Sequence, residues 1–280
     1  MDASDKTDLI AALRKSDPDR LYSALFASGD ARERLVGLYS FNLEVAATRE
    51  RVSEPMLGQI RLQWWRDALT GIRDGKPRRH PVVESLAGWL GDAGDDGFHL
   101  AGELINAREA DLEDAPFETV EQLLAYVEAT SSNLIRLALL ALNIPDGAAH
   151  EAAGPLGRAY ALAGLLRAVP FHGAQGRVML PAGLLARHGI MDARQSIGRR
   201  DPEKLKSALA ELAELAGDDL EASREVSGIP SAARPALMLS GLARLYLKRL
   251  RKAGFDLADP RLDPGPLARL FTIFVSRHFG

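Results

Sequence analysis

The amino-acid sequence predicts an all-α protein built as a single domain. Apolar residues recur at three- and four-residue spacings along almost the whole chain, a pattern typical of helices that bury one face. The alternation of Val, Ile and Thr with polar residues that marks strands is nearly absent. No repeat, low-complexity tract or long linker divides the 280 residues, so one helical bundle is the simplest interpretation.

The same periodicity places the helices in order along the chain. Asp30 can cap the second helix, and Asn143-Ile144-Pro145 ends the sixth. The sixth helix is nearly apolar all round after Asn133 and is expected to be central and buried, whereas an amphipathic helix near the C-terminal third is expected to lie outside. Residues 1–17 are interpreted as an N-terminal extension and residues 18–280 as the helical domain. The predicted helices span 18–27, 31–50, 54–74, 81–91, 97–114, 119–143, 148–171, 182–188, 203–226, 231–253 and 265–278.

Composition narrows the class of protein. A hydrophobic fraction of 46% is enough for a sizeable core, and a net charge of −3 gives no bulk attraction to nucleic acid. The absence of cysteine excludes disulfides and zinc–thiolate sites. The N-terminal residues do not resemble a signal peptide, and we expect no apolar run to approach the roughly 20 residues that cross a bilayer. We therefore expect a cytoplasmic protein that does not span a membrane and binds no nucleic acid.

Two segments carry the most specific information. Residues 38–69 read LYSFNLEVAATRERVSEPMLGQIRLQWWRDAL, and residues 162–181 read LAGLLRAVPFHGAQGRVMLP. The YSFN, LQWWR, LLR, GR and LP elements resemble the squalene/phytoene synthase superfamily, which condenses two prenyl diphosphates head to head. The resemblance covers about residues 20–190. It implies an isoprenoid-synthase-type helical bundle around a central cavity.

The resemblance also shows where this chain departs from the active enzymes. Those enzymes carry Asp-rich motifs on two facing helices, since Mg²⁺ prefers carboxylate oxygens and neutralises the diphosphate leaving group. The first motif reads here Ala46-Ala47-Thr48-Arg49-Glu50, and the acids of the second are replaced by Ala168 and a position near His172. We therefore expect no catalytic residue, no metal ligand and no cofactor. Mg²⁺ is expected only if the chain is a working transferase.

The remaining polar and aromatic positions of these segments are candidates for lining the cavity. Arg20, Arg66 and Arg167 could cradle a phosphate without metal, because guanidinium groups match phosphate oxygens. Alternatively, these arginines pair with Glu44, Asp67 or Asp111. The complete candidate set is Arg20, Tyr39, Phe41, Glu44, Gln63, Arg66, Asp111, Tyr126 and Arg167.

The tryptophan segment has a packing interpretation as well as a substrate-contact one. At helical spacing, Leu57, Trp64, Ala68 and Ile72 form one stripe, and two tryptophans bury much apolar area. Trp65 lies four residues after Arg61, where the two can form a cation–π pair.

Three functions follow from the resemblance. In the first, the chain is a non-catalytic member that binds a protein or lipid partner, similar to the branch of respiratory complex I assembly factors. Alternatively, it is a prenyl transferase acting on farnesyl or geranylgeranyl diphosphate, or a metal-free isoprenoid-binding protein. The first is favoured, because electrostatic stabilisation of the leaving group is usually the largest catalytic term. Peripheral contact with the inner face of a membrane is compatible with it. An apolar cavity would favour prenyl binding, and a filled cavity with an exposed apolar patch would favour a partner.

Overall fold

The computed structural model describes residues 3–115, 117–192 and 202–279, and within these ranges the chain is helical and forms no strand. The all-α prediction is confirmed. Its α-helices are α1 Ala3–Ser16, α2 Pro18–Ala24, α3 Gly29–Ala46, α4 Pro55–Arg73, α5 Pro81–Ala87, α6 Gly94–Ala107, α7 Val120–Val127, α8 Asn133–Ala141, α9 Ala148–Ala174, α10 Ala182–Arg187, α11 Pro202–Glu225, α12 Arg234–Leu237, α13 Leu239–Lys252 and α14 Gly265–Phe279.

Several helix boundaries differ from the predicted ones. The helix predicted for 31–50 ends at Ala46, and the chain continues through a 3-10 turn at Arg49–Arg51. The helix predicted for 148–171 instead runs on to Ala174, with Pro170 inside it. A proline removes one amide donor, but the loss at this position does not end the helix. Helix α1 was not predicted, and its Leu13 is fully buried.

The helix predicted for 119–143 is interrupted in the middle. A single π-turn, Glu128–Ser132, joins α7 to α8. Such turns are rare and are found mostly at functional sites. Helix α9 passes so close to it that a Cβ atom on Gly157 would lie 2.3 Å from the Cα of Ser132. The π-turn and α9 therefore pack backbone against backbone at the centre of the bundle.

The α7–α8 stretch corrects the expectation that no apolar segment approaches membrane-spanning length. Within the described ranges, Val120–Ala141 is long and apolar enough to cross a bilayer by length and composition. Of that segment's apolar window, however, 67% is buried inside the protein. This is the burial expected of a core helix, as the apolar character after Asn133 predicted.

The buried face of α4 is rotated from the predicted one, so that Trp65 is in the core instead of Trp64. Trp65 is buried and meets Phe41 edge to face at 5.3 Å between ring centroids, whereas Trp64 is half-buried. Leu57 is exposed, so the predicted stripe through it is wrong. Arg61 does not stack on Trp65 but binds Glu44, since a carboxylate on α3 lies within its reach. The residues of α4 that enter the core are Gly58, Leu62, Trp65, Ala68, Leu69 and Ile72.

Candidate functional site

A cavity of about 370 Å³ lies between α2, the π-turn, α9, α13 and α14. The size falls within the range of small-molecule sites, and most of the lining residues carry a polar or charged side chain. Helix α9 crosses it, with Tyr160 and Arg167 two turns apart, and the π-turn adds two hydroxyl side chains. The lining residues are Ser16, Asp17, Pro18, Asp19, Arg20, Asn42, Arg108, Tyr126, Val127, Thr130, Ser131, Tyr160, Ala161, Gly164, Leu165, Arg167, Tyr246 and Arg269.

Arg20 is held at one end of the cavity by the start of α2. Asp17 caps that helix by accepting the backbone N–H of Arg20, and its other oxygen accepts the Arg20 guanidinium at 2.9 Å. The guanidinium also lies 5.0 Å from the centroid of the Tyr160 ring. Burial alone would lower the pKa of Arg20, but the Asp17 carboxylate outweighs it and raises the pKa. Arg20 is therefore a fixed cation in the cavity wall.

Asp19, the residue before Arg20 on α2, also lies in the cavity wall. One of its oxygens accepts the hydroxyls of Tyr246 and, at 3.2 Å, Tyr160. The other lies 3.7 Å from the guanidinium of Arg269 on α14. Burial raises the pKa of Asp19, although these partners lower it. Both tyrosines thus use their hydroxyl protons to satisfy one buried carboxyl group.

Asp111 lies behind the cavity wall and is also fully engaged. Tyr126 donates to it at 2.8 Å, and Arg108 donates to both the Tyr126 hydroxyl, at 2.7 Å, and Asp111, at 3.2 Å. Arg177 approaches the same carboxylate at 3.6 Å. The network joins the 3-10 turn Arg108–Leu112 to α7 and to the GR element at Gly176-Arg177. Of the predicted residues, Tyr126 lines the cavity, and Asp111 positions it.

Of the three predicted arginines, Arg167 is the one whose guanidinium forms no ion pair with a described residue. Its guanidinium lies 3.8 Å from the centroid of the Tyr246 ring, and no carboxylate of the described residues forms an ion pair with it. A cation stacked on an aromatic face keeps its N–H edge available to a ligand.

Six buried polar atoms on this wall have no hydrogen-bond partner among the described residues. Three are guanidinium Nε–H donors, two are carbonyl or carboxylate oxygens, and one is a hydroxyl: Arg20 Nε, Arg108 Nε, Arg269 Nε, Asn42 Oδ1, Asp19 Oδ1 and Ser131 Oγ. Buried groups of this kind are normally paired with protein, water or ligand. Four arginines against two aspartates make the wall cationic, so it suits an anionic, hydrogen-bonding occupant.

Five of the predicted residues do not line the cavity: Tyr39 and Phe41 lie in the core, and Glu44, Gln63 and Arg66 lie nearer the surface. Glu44 binds Arg61 at 2.5 Å and also Arg51. Gln63 is exposed and donates to Asp67. Both residues lie on the outer side of the α3–α4 pair. On α4, the buried face is the one that carries Trp65, so Gln63 faces outward.

Arg66 binds Asn106 at 2.9 Å and Glu109 at the surface. Tyr39 and Phe41 are both buried in the core, and burial raises the pKa of Tyr39 to about 12. The expected carboxylate partners of the arginines were also wrong. In the described parts of the chain, neither Glu44, Asp67 nor Asp111 forms an ion pair with Arg20, Arg66 or Arg167.

The positions that the resemblance assigned to metal ligands do not form a carboxylate pair. Helix α3 ends at Ala46 and is capped by Ala47, and Glu50 is exposed on the following 3-10 turn. Ala168 and His172 are half-buried on α9, and neither lines the cavity. Burial, with the charge of Arg177, lowers the pKa of His172. Within the described parts of the chain, no group of three or more His, Asp or Glu side chains could hold a metal ion. Of the motif positions named here, only Glu50 carries a carboxylate.

Comparison with known proteins identifies the family. The squalene/phytoene synthase family model matches residues 13–267. The chain belongs to this family. The fold agrees: a dehydrosqualene synthase in complex with ligand superposes with a TM-score of 0.80 at 19% identity, covering 98% of this chain and 95% of the other. Squalene synthase HpnC from Alicyclobacillus acidocaldarius gives a TM-score of 0.78 at 18% identity, covering 90% and 95%. The predicted isoprenoid-synthase fold is confirmed.

Among curated proteins, this family member is similar to proteins of another name. NADH dehydrogenase (ubiquinone) complex I, assembly factor 6 from Bos taurus is 30% identical over 254 residues, covering 90% of this chain and 75% of that protein. The Homo sapiens protein of that name is 28% identical over the same shares. The Dictyostelium discoideum homolog is 28% identical over 98% and 74%. The predicted resemblance to the complex I assembly factor branch is confirmed.

The cavity residues that sequence reasoning missed include five charged or aromatic ones: Asp19, Arg108, Tyr160, Tyr246 and Arg269. One signal was present for Arg269, the single charged residue between Pro266 and Ser276 in an otherwise apolar helix. Such a charge is expected to turn inward to a partner. Nothing in the local pattern distinguishes Tyr246 from an ordinary core tyrosine.

Proposed function

We propose that this chain is a non-catalytic member of the squalene/phytoene synthase family that acts as an assembly factor by binding a protein or lipid partner. The observation that carries the proposal is the state of the acids at the cavity. Asp17 is engaged by Arg20, Asp19 by two tyrosines and Arg269, and Asp111 by Tyr126 and two arginines. Among the described residues of the cavity, no carboxylate pair is left for a divalent cation.

The chemistry of the family explains why this matters. A prenyl diphosphate ionises only when the charge of its leaving group is neutralised, and preorganised cations supply that stabilisation. Arginines can bind the diphosphate, but without metal ions at both motif positions a large part of the stabilisation is missing. The proposed loss of catalysis therefore concerns the chemical step, and it leaves the ability to bind an anionic ligand intact.

The relatives supply the biological side of the proposal. Proteins similar over about nine-tenths of this chain are named complex I assembly factors. We infer that this chain assists the assembly of a respiratory NADH dehydrogenase in its own cell. Large apolar side chains on the outer face of α4, Met56, Leu57 and Ile60, are exposed and offer a surface for a protein partner.

Catalysis is tested by measuring diphosphate release from farnesyl and geranylgeranyl diphosphate, with and without Mg²⁺, beside an active family enzyme. We expect no release while the control enzyme turns over. Metal-dependent release that is abolished by Glu50→Ala or Asp111→Ala would refute the proposal, because it would show that these acids form a rebuilt metal site.

The assembly role is tested in the cell that produces this chain. Deletion of the gene should lower NADH:ubiquinone oxidoreductase activity and the amount of assembled complex in membranes. Wild-type protein and the Glu50→Ala variant should both restore them, since no metal ligand is needed. Unchanged complex after deletion would remove the assembly role while leaving the catalytic result untouched.

A second candidate function, metal-free binding of a phosphorylated isoprenoid, is favoured by the unpaired guanidinium donors of Arg20, Arg108 and Arg269. Farnesyl diphosphate in EDTA should raise the midpoint of thermal unfolding, and farnesol should not. Arg167→Ala should abolish the shift, whereas Arg66→Ala, at the surface, should retain it. Equal stabilisation by farnesol would contradict a diphosphate-binding cavity.

A further inference from the structure

A groove of about 630 Å³ lies between α11 and α13 and carries opposite charges on its two walls. The acids come from α11 and the cations from α13: Glu214, Asp218 and Glu221 on one side, and Arg244, Lys248, Arg251 and Lys252 on the other. Along each helix these residues recur at three- and four-residue spacings, which place side chains on one helix face. Each wall of the groove is therefore a row of like charge.

The side chain of Arg251 spans the groove. Its Nη2 atom donates to the carbonyl oxygen of Ala213 at 3.2 Å, and a Cβ atom at Gly217 would lie 2.7 Å from the same nitrogen. At this point α13 is joined to α11 by a hydrogen bond to the backbone beside a glycine, and not by an ion pair between the two rows.

Most of the other charges in the two rows are not paired within the chain. Among the described residues, Arg244, Lys248 and Lys252 form no ion pair, and neither do Glu214 and Asp218. All five residues are exposed. Each row is thus available to charges of the opposite sign from outside the chain.

The end of the groove at Arg244 shows the same lack of pairing. The third acid, Glu221, binds Arg224 of its own helix at 3.0 Å. Partial burial, with the charge of Arg224, lowers the pKa of Arg244. A guanidinium with a lowered pKa has no carboxylate close enough to compensate its desolvation.

A groove with opposite charges on its two walls is complementary to itself under one symmetry. In a two-fold dimer both copies present the same surface. An axis along the groove places the acidic row of each copy over the basic row of the other. An axis across the groove would place acid over acid and base over base, and juxtaposed like charges are strongly unfavourable. The charge pattern therefore selects the first arrangement.

We propose that the protein forms a two-fold dimer in which the α11–α13 groove of one copy faces that of a second copy, with the axis along the groove. Glu214 and Asp218 of each copy then lie against Lys248 and Lys252 of the other. Contacts between exposed charges are individually weak and are screened by salt, so this dimer is salt-sensitive. The inference is independent of the proposed assembly function and of any ligand in the cavity.

Sedimentation velocity of the full chain tests the proposal. A dimer should be present at about 50 mM NaCl and should dissociate at about 500 mM, because salt shortens the range of exposed charges. Glu214→Lys/Asp218→Lys makes both walls basic, and Lys248→Glu/Lys252→Glu makes both acidic. Each should weaken self-association by at least about tenfold, since like charges then oppose each other in both halves of the interface.

A matched control changes the same number of acids outside the groove. Asp92 and Asp96 are exposed at the start of α6, and Asp92→Lys/Asp96→Lys alters the net charge as much as Glu214→Lys/Asp218→Lys does. This control should dimerise like wild type. A control that weakens the dimer equally would overturn the proposal, because it would show that net charge and not the groove determines association.

The sharpest experiment mixes the two wall variants. A groove with two basic walls complements one with two acidic walls, so an equimolar mixture at low salt should form a heterodimer although neither variant dimerises alone. Circular dichroism checks that each variant is folded, and Asp218→Lys with Lys248→Glu replaces a double variant that is not. Monomeric wild-type protein at low salt, a dimer unaffected by either wall variant, or a mixture that stays monomeric would each overturn the proposal.

Discussion

The close approach of α9 to the π-turn makes Gly157 the most informative position for substitution. A Cβ atom at Gly157 would lie 2.3 Å from the Cα and 2.5 Å from the amide nitrogen of Ser132. Both obstacles are backbone atoms, which cannot rotate aside as a side chain can. At Gly164, two turns further along α9, a Cβ atom would meet no neighbouring atom within 4 Å. Gly157→Ala and Gly164→Ala therefore form a matched pair on one helix.

The magnitude follows from the distance and from helix propensity. Ordinary contact begins at 3.4 Å, so α9 and the π-turn would have to separate by about 1 Å, and overpacking of this severity costs about 3 kcal/mol. The alanine returns about 1 kcal/mol through its better helix propensity, leaving a net loss of about 2 kcal/mol for Gly157→Ala. Gly164→Ala should gain up to about 1 kcal/mol.

Urea denaturation followed by far-ultraviolet circular dichroism measures both free energies of unfolding. The two variants should differ by about 3 kcal/mol, roughly two orders of magnitude in the unfolding equilibrium constant. Because the π-turn carries Thr130 and Ser131 of the cavity wall, Gly157→Ala should also weaken any ligand binding there. Equal stability of Gly157→Ala and wild type would refute the close-packing argument, and a destabilised Gly164→Ala would show that propensity does not govern α9.

Three further predictions concern stability. Trp65→Ala should lower the free energy of unfolding by about 3–5 kcal/mol, as expected for a fully buried indole, in the same urea assay. Arg158→Met should cost about 2 kcal/mol, because the partly buried Asp219 loses its bidentate partner, which donates through Nε and Nη2. A loss that disappears in Arg158→Met/Asp219→Asn would confirm the pairing. Burial lowers the pKa of His80 and His172 below 6.5, so their contribution is fully present above pH 6.5 and is lost as pH falls through that value toward the folded-state pKa. His80→Gln/His172→Gln should flatten this part of a stability–pH curve, and an unchanged slope would contradict the assignment.

Sequence patterns predicted the helices but not their phase. The three- and four-residue spacing was sufficient to place most of the elements, because burial of one face determines helix formation. It could not choose between Trp64 and Trp65 as the core residue, because each of the two adjacent tryptophans fits an apolar face at helical spacing. The contact that decides is with Phe41 on α3, 24 positions earlier in sequence, and no local pattern reports it.

The site was predicted only where the family resemblance placed it. Arg20, Tyr126 and Arg167 do line one cavity, because α2, α7 and α9 converge there. Asp19, Tyr246 and Arg269 were missed, since the packing of α13 and α14 on α2 brings them together from positions more than 200 residues apart. Glu44 and Arg66 were wrongly predicted to line the cavity. As for Trp65, the direction of these side chains depends on how α3 and α4 are rotated about their axes when they pack together.

The unpaired polar atoms in the cavity wall lower the stability of the fold. Leaving a buried donor or acceptor unpaired costs about 1–3 kcal/mol, and six such atoms line the described wall. A scaffold required only as a rigid shape would be more stable with apolar side chains at Asn42 and Ser131. Water or an anionic ligand can satisfy those groups. An assembly factor whose cavity binds an anionic prenyl lipid would join the two non-catalytic functions in one protein.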